Sequence, residues 1–157
     1  MRKICLFVLF LATISLSAFG MDQSEIDEIV AVMTLGNLGS TIEGSERIPR
    51  EATRVSADTF LLRGVGRGGD ERLVVYTTNN ILGVVAVSVT DTGPNSQETF
   101  NIYRRTLNNS PHVRLENEVA TTNSVRGTLV YSTGFRVRFS MQYFPNNQQF
   151  VMTVMRN

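Results

Sequence analysis

The sequence contains one cysteine, Cys5, one lysine, Lys3, and one histidine, His112. With a single cysteine the chain cannot form an internal disulfide, and it has no thiol nucleophile beyond residue 5. Zinc is held in proteins mainly by cysteine and histidine, so almost all of its preferred ligands are missing. We therefore expect no metal site and no catalysis that depends on a thiol.

The first 20 residues have the features of a secretory signal peptide. Residues 2 and 3 are basic, residues 4–16 are mostly apolar and uncharged, and Ala18-Phe19-Gly20 places small residues where a signal peptidase reads. The apolar run is too short to span the roughly 30 Å hydrocarbon core of a membrane. We expect cleavage after Gly20, a periplasmic or secreted location, no stable membrane anchor, and one globular domain over residues 21–157.

Charge and composition limit the possible partners. Residues 21–157 contain thirteen arginines, fourteen acidic residues and no lysine, which gives a formal net charge of −1. That balance does not attract nucleic acid. Codon bias would explain the missing lysines, and so would selection against ubiquitin attachment in a bacterial toxin component that enters a eukaryotic cytosol.

Residues 23–35 have the pattern of an amphipathic helix. Ser24-Glu25-Ile26-Asp27 resembles a capping box, and Gly36 is a typical helix end. The surrounding segment 22–46 contains six acidic residues and no arginine. Residues 36–50 are predicted to form a loop. Within residues 23–35 the apolar residues Ile26, Ile29, Val30 and Met33 recur at the i, i+3, i+4 and i+7 spacing of one helix face.

From about residue 52 the apolar period changes to two, which predicts antiparallel strands. Asn79-Asn80 predicts a two-residue turn that pairs Val75 with Val84, and Leu73 with Ala86. This hairpin is apolar on both faces, so we expect it near the centre of the sheet. Weaker alternation predicts further strands at 98–106 and 112–119.

The C-terminal residues predict a meander, because two turns specify one register. The loop Ser132-Thr133-Gly134 pairs Leu129 with Val137, and the loop 145–148 pairs Met141 with Met152. The buried face is predicted to contain Phe135, Val137, Phe139, Met141 and Tyr143. The opposite face is predicted to carry Arg126, Thr128, Arg136, Arg138, Ser140, Gln142 and Thr153. The whole chain predicts an α+β fold, with one N-terminal amphipathic helix packed on a twisted antiparallel sheet of about seven strands.

Three motifs with possible chemistry have simpler explanations. Gly64, Gly66 and Gly69 match G-x-G-x-x-G, but a strand follows them, whereas a dinucleotide site requires a helix N-terminus. We therefore expect no cofactor, and a flexible hairpin loop with Arg67 at its tip. His112 has no accompanying G-x-S-x-G nucleophile elbow, so it indicates no catalytic triad.

The segment Glu116-Asn117-Glu118 has the E-x-E spacing found in ADP-ribosylating toxins. The arginine and the Ser-Thr-Ser strand that accompany that pair in those toxins are not convincingly present. Alternate residues of a strand share a face, so both glutamates and Arg114 are predicted to form a solvated charged stripe. We assign no catalytic residue.

The candidate binding residues are arginines. Arg126, Arg136 and Arg138, with Thr128 beside them, are suited to bind a carboxylate, a phosphate or an acidic protein surface, and Arg67 is a further candidate. An ordinary solvated face, or binding of the chain's own acidic segment 22–46, would also explain them. We expect an exported, non-enzymatic binding protein of the inhibitor, immunity or secretion-accessory type. The alternatives are a periplasmic carrier of a small apolar ligand, and a toxin component or small transferase.

Overall fold

A computed structural model describes residues 48–79, 83–111, 113–132 and 134–157. The predicted signal peptide, the predicted helix 23–35, Asn80 and His112 lie outside these residues. In chain order the elements are β1 (Thr53–Arg54), β2 (Thr59–Val65), β3 (Glu71–Asn79), β4 (Gly83–Thr92), α1 (Ser96–Asn109), β5 (Val113–Ala120), β6 (Ser124–Tyr131), β7 (Arg136–Phe144) and β8 (Gln149–Arg156).

All eight described strands form one antiparallel sheet, in the order β1-β2-β3-β4-β8-β7-β6-β5. β4 and β8 are central, and α1 connects central β4 to the edge strand β5. The α+β class with an antiparallel sheet is confirmed. The prediction placed the helix at the N-terminus, but the described helix α1 lies between β4 and β5. The described strands number eight, whereas about seven were predicted.

The prediction of a strand at 98–106 is wrong, because these residues belong to α1. Phe100, Tyr103 and Leu107 recur at helical spacing and are buried. The rings of Phe100 and Tyr103 lie 6.4 and 5.4 Å from the ring of Phe150 in β8. Aromatic and β-branched residues favour strands in general, but here their spacing places them on one face of a helix. The strand predicted at 112–119 is confirmed by β5.

The register predicted for the C-terminal meander is confirmed. Leu129 pairs with Val137, and Met141 pairs with Met152. Gly134 has φ +84°, a left-handed conformation that glycine adopts without steric cost, and its N–H donates to the Tyr131 carbonyl at 2.8 Å. Within the predicted apolar face Val137, Phe139 and Met141 are buried, and Phe135 and Tyr143 are partly buried.

The register predicted for the β3–β4 hairpin is wrong. Val75 pairs with Ser88, Leu73 pairs with Thr90, and the pairing shifts by one residue after Thr77. Asn79 pairs with Gly83, so the connection is longer than two residues. A hairpin that is apolar on both faces gives several registers similar burial, so the apolar pattern does not select one of them.

The hydrophobic core lies on one face of the sheet, between the strands and α1. α1 makes its main contacts with β8, β7 and β5. Leu129, Val137, Phe150 and Val154 are 0% exposed there. We call the other side the open face, because no helix of the described residues lies over it. It contains the alternate residues of each strand, among them Arg126, Thr128, Arg136, Arg138, Ser140, Thr153 and Met155.

Candidate functional site

The predicted arginine group is brought together on the open face. Thr128 pairs with Arg138, and Arg126 pairs with Ser140, across the β6–β7 ladder. Because alternate residues of a strand project to the same side, Arg136 lies on this face with Arg138. All three arginines are exposed, and Thr128 is half-buried. Four of the five predicted binding residues therefore share one surface.

Arg136 is neutralised by an acidic residue of the edge strand. Its Nη2 donates to Glu116 Oε2 at 2.6 Å, and Arg114 Nη2 donates to the other oxygen of the same carboxylate. The hydrogen bond from Arg136, reinforced by Arg114, lowers the pKa of Glu116 from its ordinary value, although burial acts in the opposite direction. Glu116 therefore remains ionised and links β5 to β7 across β6.

Unlike Arg136, Arg126 and Arg138 have no such partner among the described residues. Neither forms an ion pair or a side-chain hydrogen bond with another described residue. Since Arg126 pairs with Ser140 and Arg138 with Thr128, the two arginines are diagonal neighbours on adjacent strands. The open face therefore offers two adjacent guanidinium groups to a molecule outside the described chain.

Apolar side chains border this pair. Val119 pairs with Arg126 and is 50% exposed, and Met155 pairs with Arg138 and is 36% exposed. A groove of about 320 Å³ runs beside Arg126, and Phe144 and Val151 are among the residues that line it. Arginine, methionine and aromatic residues are enriched in protein interfaces relative to the rest of the surface. The surface thus combines two exposed charges with apolar area.

Arg67 is not part of this surface. It begins a short 3-10 turn, Arg67–Gly69, between β2 and β3. That loop lies at the end of the sheet where the β7–β8 turn lies, whereas Arg136 begins β7 at the opposite end. Gly68 has φ +63°, and a Cβ there would lie 2.6 Å from the Asn95 side-chain nitrogen, so the loop fits closely against the start of α1.

A buried polar network lies beneath that loop, and the sequence analysis missed it. Asp91 is 0% exposed and accepts two hydrogen bonds from Arg72, each 2.7 Å long. Asp70 is 3% exposed and accepts from the backbone N–H of Asn95 at 3.0 Å. Because Asn95 precedes the first residue of α1, the Asp70 carboxylate lies at the positive end of the helix dipole.

Ser96 completes this network. Its Oγ lies 2.7 Å from the Gly93 carbonyl oxygen, 2.8 Å from that of Gln148 and 3.2 Å from Asp70 Oδ2. A hydroxyl has one proton to donate, so it bonds to one of these acceptors at a time. Ser96 is 0% exposed, which makes it a structural link between α1 and the β7–β8 turn rather than an accessible nucleophile.

The E-x-E segment is interrupted by a β-bulge. Glu116 pairs with Thr128 and Val119 with Arg126, so Asn117 and Glu118 together lie opposite one residue. Asn117 has φ +54°, in the left-handed region. The prediction that both glutamates share a solvent face is wrong, because the bulge breaks their alternation. Glu118 instead lines a cavity of about 570 Å³ with Leu107 and Leu115. The prediction that Arg114 flanks Glu116 is confirmed, since Arg114 donates a hydrogen bond to the Glu116 carboxylate.

We describe three cavities formed by described residues, two of which are given above. A third one, of about 580 Å³, lies along α1 and is lined by Gln97, Asn101 and Arg104 among others. None of these three cavities includes a residue of 71–89.

The described residues contain neither a metal-binding cluster nor a membrane-spanning helix. No three histidine, cysteine, aspartate or glutamate side chains of that part of the chain are placed to share a metal ion. The only described helix, α1, is not long and apolar enough to cross a membrane.

Comparison with known proteins adds no relative. No protein-family model matches the chain, and no significant match was found among curated proteins or among solved structures.

Proposed function

We propose that this chain is an exported, non-enzymatic binding protein whose open face binds an acidic surface of a partner protein. The observation that carries the proposal is the pair Arg126 and Arg138. These two exposed arginines have no ion-pair partner among the described residues, whereas neighbouring Arg136 is held by Glu116. An unmatched pair of this kind is suited to charges supplied by another molecule.

The chemistry of the pair favours carboxylates on the partner. A guanidinium group presents a planar set of donors that matches a carboxylate with two parallel hydrogen bonds. Exposed Val119 and Met155 adjoin the arginines and offer apolar area that binding would remove from water. We infer a partner surface in which acidic side chains surround an apolar centre.

Export follows from the basic and apolar pattern of residues 1–20, and with it a periplasmic or secreted location. A protein that meets its partner there is of the inhibitor, immunity or secretion-accessory type. Of the alternatives, an apolar-ligand carrier finds no support in the three cavities above, since none lies against the hairpin. A transferase of the E-x-E type would use Glu116 together with Glu118, whereas Glu116 is ion-paired with two arginines and the bulge interrupts the strand between them.

Charge reversal tests the proposal directly. The variant Arg126→Glu/Arg138→Glu and the matched control Arg50→Glu/Arg105→Glu change the net charge equally. Both control arginines are exposed and lie outside the open face. Each chain is immobilised, exposed to an extract of the compartment in which it is found, and the bound proteins are quantified by mass spectrometry.

We expect wild type and control to retain the same protein, and the open-face variant to lose at least about 90% of it, since the reversed charges would face the partner's carboxylates and like charges at an interface repel strongly. Binding of that protein should also weaken with added salt. Equal retention by the open-face variant and the control would contradict the proposal.

A further inference from the structure

Among the described residues, a helix covers only part of the width of the core side of the sheet. α1 makes its main contacts with β8, β7 and β5. On the same side, Phe60 pairs with Tyr76 and Leu62 pairs with Val74 across β2 and β3. We call these four residues the β2–β3 patch. Phe60, Leu62 and Val74 are only partly buried, although they adjoin the hydrophobic core.

The described chain begins against the hydrophobic core that this patch adjoins. Ile48 packs against the same hydrophobic core, and 47 residues precede it. Residues 36–47 connect it to the amphipathic segment 23–35. A connection of that length spans up to about 40 Å when extended, enough to reach any part of the patch.

The amphipathic segment matches the patch in chemistry. Ile26, Ile29, Val30 and Met33 would form one apolar stripe at helical spacing, and its acidic residues lie mainly outside that stripe. Burying four large apolar side chains against Phe60, Leu62 and Val74 would remove apolar surface from water on both partners. The open face is a less suitable surface, because serine, threonine and arginine interrupt its apolar residues.

We propose that residues 23–35 cover the β2–β3 patch, beside α1, with their apolar stripe against Phe60, Leu62 and Val74. Both helical segments would then lie on one side of the sheet, in a two-layer arrangement. The open face stays accessible to a partner. This placement does not require the proposed function to be correct.

Cysteine crosslinking in the full chain tests this placement, with Cys5→Ser present so that engineered thiols are the only ones. Val30→Cys is combined either with Leu62→Cys in the patch or with Thr153→Cys on the open face. A short bismaleimide is added to the monomeric protein, and intramolecular crosslinks are quantified by peptide mass spectrometry. Val74→Cys replaces Leu62→Cys if that variant does not fold.

We expect the patch pair to crosslink about tenfold more than the open-face pair, because proximity sets the effective concentration of the second thiol. Equal yields, or a preference for Thr153→Cys, would overturn the proposal, and the latter result would assign the acidic segment to the arginine surface. As a second measurement, Val30→Asp should speed maleimide labelling of Leu62→Cys, and Asp27→Asn should not. An unchanged labelling rate in Val30→Asp would also count against it.

Discussion

The two faces of the sheet differ in how deeply their side chains are buried. On one face Phe150, Leu129 and Val137 are fully buried beneath or beside α1. On the other, Arg126 and Arg138 alternate with them along the sequence and remain exposed. The comparison indicates that the buried face provides most of the stability of the fold, and that most exposed positions of the open face can change at little cost to stability.

The largest difference between the faces should appear in β8. Phe150→Ala removes a ring that contacts both Phe100 and Tyr103. It should cost about 3–5 kcal/mol of unfolding free energy, because the cavity is enclosed. Met155→Ala, on the open face of the same strand, is the control and should cost less than about 1 kcal/mol. Chemical denaturation measures both. Similar losses in the two variants would mean that the open face also stabilises the fold.

A smaller difference is expected between two ion pairs of β3. Asp91→Asn breaks the buried pair with Arg72 and should cost about 3 kcal/mol, since it leaves a poorly solvated charge. Glu71→Gln breaks the exposed pair with Arg63, whose N–O distance is 3.0 Å, and should cost less than about 1 kcal/mol.

The double variant Arg72→Met/Asp91→Leu should recover much of the loss caused by Asp91→Asn, because it removes both charges at once. Urea midpoints of the four chains check the order. If Asp91→Asn unfolds no more readily than Glu71→Gln, the buried network does not have the structural role assigned to it.

The smallest effect concerns Glu116. Its pKa is lowered in the folded chain, so its contribution to stability is present above the unfolded pKa and is lost as pH falls through the folded pKa. Glu116→Gln should therefore be less stable than wild type at neutral pH and equally stable in strong acid. Thermal unfolding across this range measures the difference, and Glu118→Gln is the control. A stability difference that does not change with pH would show that Arg136 and Arg114 do not act on an ionised Glu116.

The sequence predicted the C-terminal meander because two turns and one apolar alternation agree. It therefore also predicted which arginines share a face. It did not predict the β3–β4 register, because that hairpin is apolar on both faces and several registers would bury a similar apolar area. It missed α1 because Phe100 and Tyr103 have strand propensity, although Pro94-Asn95-Ser96 is a recognisable helix start.

The remaining contacts join residues that are distant in the chain. Asp91 meets Arg72 through the β3–β4 register, and Ser96 meets Gln148 only once the sheet has assembled. The bulge at Asn117 had only a weak local signal, because asparagine adopts positive φ more readily than most residues but glycine is the stronger indicator. Such features depend on the complete sheet, so local patterns do not predict them.

Site-specific photocrosslinking tests whether a partner protein binds to the open face. A photoreactive amino acid replaces Met155 on the open face or, in a matched chain, Gln97 on α1. Intact cells that produce each chain are then irradiated. We expect a discrete protein adduct at position 155 that disappears in the Arg126→Glu/Arg138→Glu background, and none at position 97. An adduct at position 97 alone would show that the partner does not bind at the open face.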